Sequence, residues 1–153
     1  MIQKLRDRSR SESGFTLVEL LVVMLILGLL AAIAIPSFFN QRDKARDADA
    51  KALTRTAQTA AETYATDNGG SYLGMTPAIL IGIEQTLNQA DGGDDSGDGD
   101  ALAVSGLATD EYTVTVDSST GNDFSISRAD DGTVSLTCNT GGQDGCPTGG
   151  QWD

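Results

Sequence analysis

Few residues in this chain of 153 carry groups able to do chemistry, and they are unevenly placed. One carboxylate, Glu19, interrupts the apolar run Phe15 to Ile35, FTLVELLVVMLILGLLAAIAI. A carboxylate near the centre of a membrane helix costs about 2.5 to 3.5 kcal/mol, less towards the interface, so Glu19 calls for a partner cation unless it snorkels or takes up a proton. The stretch DGGDDSGDGD, residues 91–100, gathers oxygen ligands of the kind a hard divalent cation takes. Asp94, Ser96 and Asp98, with Gly99 at the turn and Asp100 beyond it, give the nearest approach to a calcium loop. Position twelve of that register is Ser105, where a bidentate Glu belongs, so a solvated acidic loop competes with a Ca2+ site and no cofactor is required. Cys138 and Cys146 are the only two thiols. Close together in a chain that opens with a membrane-targeting segment, they read as a disulfide formed outside the cytoplasm, with two free thiols as the alternative.

Most catalytic chemistry is missing. His is absent, which removes the commonest general base and metal ligand. No Cys–His pair, Gly-rich phosphate loop or nucleophile beside a base can be found, so the chain is not read as an enzyme. The net charge of −12 is split between a leader, Met1 to Gly14, at +2 and a remainder at −14, and beyond Arg55 the only basic residue is Arg128. Phosphate binding needs clustered Lys and Arg, so nucleic acid is not an expected partner.

The element that positions Glu19 is a helix. At about 1.5 Å per residue the 21-residue run reaches about 32 Å, the thickness of a bilayer's hydrocarbon core. Lys4, Arg6, Arg8 and Arg10 precede it and place the N-terminus in the cytoplasm by the positive-inside rule, with everything after Ile35 exported. An ordinary secretory signal competes, and Ala32-Ile33-Ala34 offers a cleavage site. An h-region is usually 7 to 15 residues and uncharged, however, whereas this run is longer and contains an acid.

The stretch GFTLVELLVVMLILGLLAAIAIP, Gly14 to Pro36, resembles the type III signal of type IV pilins and type II secretion pseudopilins. The resemblance implies that a prepilin peptidase cuts between Gly14 and Phe15 and methylates the new amine of Phe15. It implies a helix kept after processing, passed from the lipid bilayer by a membrane assembly platform into a helical homo-oligomeric filament. Glu19 would then pair with the Phe15 amine of a neighbouring copy and fix the axial register, since a slip would leave both charges unpaired. Gly28 and Pro36 match the zone where related helices loosen on assembly, with a simple kink as the alternative; Gly lowers helix propensity and Pro36 removes an N–H and obstructs the carbonyl of Ala32. Major pseudopilins of the family commonly carry a calcium site and often lack a C-terminal disulfide, so the two cysteines lean towards a pilin and the Asp-rich stretch towards a pseudopilin.

One continuous helix is expected from Thr16 to Thr66, ended by Asp67-Asn68-Gly69-Gly70. In its second half Ala45, Ala48, Ala52, Thr56, Ala60 and Tyr64 form the stripe expected to face a sheet, with Arg42, Lys44, Asp47, Asp49, Lys51, Arg55 and Glu62 largely off it. A short helix is expected after the N-cap Thr76 and Pro77, presenting Leu80, Ile83, Leu87 and Ala90. Alternation at period two over Tyr112–Val116, Phe124–Ile126 and Val134–Cys138 predicts a three-stranded antiparallel meander. The expected fold is α+β: a cleaved leader 1–14, a transmembrane and filament-core helix 15–36, and an extracytoplasmic pilin-like domain 37–153. Its parts are an amphipathic helix 37–66, a connection 67–110, a meander 111–138 and a disulfide-closed tail 138–153. The function expected is a structural filament subunit, single-pass in the membrane and then on the cell surface. A type II secretion pseudopilin and a singly anchored binding or adhesion protein are the alternatives.

Overall fold

The computed structural model describes residues 14–90, 101–139 and 141–152. Helix α1 runs Leu17–Asp67 and α2 Pro77–Ile83; a 3-10 helix covers Gln85–Gln89; and strands β1 Leu102–Ser105, β2 Tyr112–Asp117, β3 Asp123–Arg128 and β4 Val134–Cys138 follow. The chain divides into two compact units, Met1–Phe39 and Asn40–Asp153.

In the first unit every large apolar side chain from Phe15 to Phe39 is exposed. This segment of α1 is long and apolar enough to cross a membrane, and none of its most apolar window is buried. An apolar surface of that extent is not left to water; it belongs against lipid or protein. The helix continues without interruption through Gly28 and Pro36.

The second unit has its own core. Its four strands pair antiparallel in the order β1-β2-β3-β4. Val114 pairs with Ile126, and Val116 with Phe124, so Tyr112, Val114, Val116, Phe124 and Ile126 share one buried face. The other face is polar, with hydroxyl pairs Thr113–Ser127 at 2.9 Å and Thr115–Ser125 at 2.8 Å across the β2–β3 ladder. This is the one-sided alternation of an antiparallel sheet packed on a helix.

The sheet differs from the expected meander by one strand. β1 lies in the stretch read as a connection, because Leu-Ala-Val-Ser is too short to show a period and directly follows the Asp-rich residues. The helix stripe is also rotated from the expected one. The buried residues of α1 are Asp47, Ala50, Thr54, Ala57, Ala60, Ala61 and Ala65, while Ala45, Ala48 and Ala52 are exposed. Two Ala/Thr stripes fit the helical period here, and the charges at Asp47, Lys51 and Arg55, taken as solvent markers, pointed to the wrong one. The segment after Thr76 is likewise two elements. Thr76 accepts from Ile79 N at 3.3 Å with Pro77 opening α2, as expected, but the helix stops at Ile83 and Leu87 is carried by the 3-10 turn.

Cys138 and Cys146 form the expected disulfide, with Cα atoms 5.9 Å apart. The tail beyond it, for which the sequence offered no assignment, lies along β4. Cys138 N donates to Gly150 O at 2.8 Å and Trp152 N to Leu136 O at 3.2 Å. Trp152 is buried, edge-on to Phe124 with ring centroids 5.9 Å apart, and its indole N–H donates to Thr137 O at 2.8 Å.

Candidate functional site

At the start of α1, Glu19 and Thr16 hydrogen-bond each other reciprocally. Glu19 Oε2 accepts from Thr16 N at 2.9 Å and from Thr16 Oγ1 at 2.8 Å, while Glu19 N donates to Thr16 Oγ1 at 3.2 Å. This is a capping box, in which Thr and Glu three residues apart satisfy backbone donors that a helix start leaves open. The spacing Thr16-Leu17-Val18-Glu19 therefore holds the carboxylate at the helix N-terminus, next to the backbone of Phe15. Phe15 is exposed, and a side chain added at Gly14 would meet nothing within 4 Å.

Three polar sites hold α1 to the rest of the second unit, all built on residues expected to face solvent. The first is Asp47, fully buried. Its Oδ1 accepts from Ser118 Oγ at 2.7 Å and from Thr120 Oγ1; its Oδ2 accepts from Asn122 Nδ2 at 2.7 Å and Gly145 N at 2.8 Å. Burial pushes the carboxyl up, but the donors from Thr120, Ser118, Gly145 and Asn122 together outweigh it and hold the group below the ordinary Asp value. One carboxylate thereby fixes both the β2–β3 turn and the disulfide loop. Gly145 is required there: a Cβ at that position would stand 2.5 Å from Asp47 Cβ.

One turn on, Lys51 Nζ donates to Gly145 O at 2.6 Å and lies over the rings of Phe124 and Trp152, with Arg55 5.2 Å from the Trp152 centroid. About three turns beyond Lys51, Glu62 accepts from both Tyr72 and Tyr112 hydroxyls at 2.8 Å. Burial, reinforced by the hydrogen bond and charge of Glu62, pushes Tyr72 up to about 12 and Tyr112 higher still. Arg128 stacks on the Tyr72 ring at 5.9 Å.

These sites join elements; they hold no reacting geometry. Among the described residues no three His, Cys, Asp or Glu side chains converge as metal ligands. Asp94, Asp98 and Asp100 lie outside the described residues. Gly14, Phe15 and Glu19 cluster at the start of α1, Gly28 and Pro36 lie within it, and the cysteines belong to the second unit. Sequence reading missed Asp47, Glu62, Gly145 and Trp152. The signal for Asp47 was present in Ser118, Thr120 and Asn122, three side-chain donors in one five-residue turn, but nothing in the sequence paired that turn with a position 71 residues earlier.

Comparison with known proteins agrees with this layout. The prokaryotic N-terminal methylation motif matches residues 9–35. The type IV wide pilus major component PilA4 of Thermus thermophilus is 35% identical over 50% of this chain and 59% of its own length. Type II secretion system core protein G of Pseudomonas aeruginosa is 41% identical over 39% of this chain and 42% of its own. The matched stretch thus spans about half the length of these relatives. Type II secretion system core protein G of Vibrio cholerae aligns over 90% of this chain and 87% of its own length at 26% identity. No solved structure matches. With the methylation motif at its N-terminus, type IV pilins and type II secretion core G proteins among the proteins it matches, and a long helix that covers an antiparallel sheet through its second half, the chain is similar to type IV pilins and type II secretion pseudopilins, most closely through its N-terminal segment.

Proposed function

We propose that this chain is a structural, non-enzymatic prepilin: the subunit of a type IV pilus-like filament. The carrying observation is the apolar segment Phe15–Phe39, all of whose large side chains are exposed, with its one carboxylate, Glu19, seated in a capping box at the helix start. Before assembly the segment spans the membrane, N-terminus in the cytoplasm and second unit exported. Prepilin peptidase cuts between Gly14 and Phe15 and methylates Phe15. Cleavage converts the peptide nitrogen of Phe15 into a cation beside the Thr16–Glu19 box. When the assembly platform moves the helix from lipid into a bundle of its copies, Glu19 can exchange its Thr16 donors for the amine of a neighbour. A buried carboxylate without such a partner is strongly destabilising, so only the register that pairs both charges persists. No cofactor enters this scheme.

The disulfide loop favours a pilus subunit over a pseudopilin, although relatives of both kinds match. The experiment is Glu19→Ala. Leader removal and membrane insertion should be unchanged, while surface filaments seen by electron microscopy should fall at least tenfold; normal filaments in the variant would refute the register role.

A further inference from the structure

Six basic side chains follow the leader, and the fold treats them as two groups. Lys51, Arg55 and Arg128 are engaged within the second unit, over Phe124, Trp152 and Tyr72. Arg42, Lys44 and Arg46 stand within five residues of one another on α1, just after the last residue of the exposed apolar segment, Phe39, and all three are exposed. Arg42 has a 3.6 Å contact with its neighbour Asp43; among the described residues Lys44 and Arg46 make no ion pair. At about 100° per residue Arg42 and Arg46 share one side of the helix and Lys44 takes the other, so the three form a collar. Residues 40–46 carry +2, and everything beyond them carries −15.

Two facts make this collar more than a solvated face. It sits on the trailing flank of the membrane segment, where Lys and Arg oppose the charge bias by which the leader orients the helix. It also stands at headgroup depth. The apolar run Phe15–Ile35 fills a hydrocarbon core of about 30 Å, and Arg42 lies seven residues, about 10 Å, further along α1, a gap that Lys and Arg stems shorten by several ångströms while keeping their charges in the polar zone. The acidic remainder of the chain is repelled by an anionic membrane surface, so the collar is the exported segment that complements one.

We propose that Arg42, Lys44 and Arg46 bind anionic phospholipid headgroups of the exported leaflet and hold the subunit at a fixed depth before assembly. This rests on the membrane-spanning reading of Phe15–Phe39, and names the lipid chemistry that reading leaves open.

The test uses the full chain in lipid nanodiscs of phosphatidylcholine with about 30% phosphatidylglycerol, enough anionic lipid to give a strong surface potential. Wild type and R42Q/K44Q/R46Q carry the same leader, so a difference between them belongs to the collar. Native mass spectrometry of the retained lipids should show phosphatidylglycerol enriched roughly twofold over its bulk share for wild type, with at least half of that enrichment lost in the triple variant. R42K/R46K should keep the enrichment, and raised salt should weaken it. Disulfide formation and protease resistance of the second unit should be equal in all three proteins, which separates lipid loss from misfolding. Equal phosphatidylglycerol retention by wild type and the triple variant overturns the proposal. So does a triple variant that keeps its lipids but loses filaments, which would give the collar to the acidic groups of a second copy. Failure of the chain to insert at all, read by protease protection in vesicles, would instead overturn the membrane reading beneath it.

Discussion

Asp47 has no exposed surface, yet its carboxylate ties a turn and a disulfide loop to one helix through four donors. Truncation to Ala leaves those donors without an acceptor in a buried place, which should cost about 2–4 kcal/mol in a denaturant titration of the second unit. The folded carboxyl lies below its unfolded value. Its contribution is therefore complete above the unfolded pKa of about 4 and is lost as pH falls through that value towards the folded one. Denaturation midpoints taken from pH 6 to pH 3 should fall for wild type, and Asp47→Asn should show a shallower fall. At Gly145 a methyl group would meet Asp47 itself. Gly145→Ala should destabilise by about 1–3 kcal/mol, and the double variant with Asp47→Ala should lose less than the sum of the two.

At the scale of elements, the helix and the strands were legible because their signals are long or periodic. An apolar run and an Ala/Thr pattern extend over the 51 residues of α1, and apolar residues alternate with Thr and Ser through β2 and β3. The helix face was not legible. Ala and Thr mark two stripes equally well, and the deciding residue was a charged one whose donors lie in a distant turn. β1 and the tail were too short to show any pattern; they are held by pairing partners, which the sequence does not identify. The tail nevertheless does measurable work as an edge. Trp152 fills core space beside Phe124, and Gly150–Trp152 bonds along the open side of β4. Trp152→Ala should cost about 3–5 kcal/mol, and removal of residues 150–153 should in addition expose the β4 edge and promote self-association, read by light scattering on the refolded chain. Replacing both cysteines with Ser should cost about 2–4 kcal/mol without changing the strand pairing, which hydrogen exchange of β2 and β3 amides would report.

Across the whole molecule, the two units pose opposite problems to water. The second satisfies its buried carboxylate, Asp47, internally, while the first, its Glu19 bonded to Thr16, leaves an apolar helix to be covered by something else. The proposed cleavage after Gly14 would make sense only if that helix is kept, because the cut would create a cation at Phe15 for the Glu19 of a neighbouring copy. The most direct measurement is the mass and sequence of the mature N-terminus in intact cells. The account predicts a polypeptide that starts at Phe15 and is heavier by one methyl group on its amine; a mature chain starting after Ala34 would lack the helix altogether and contradict it.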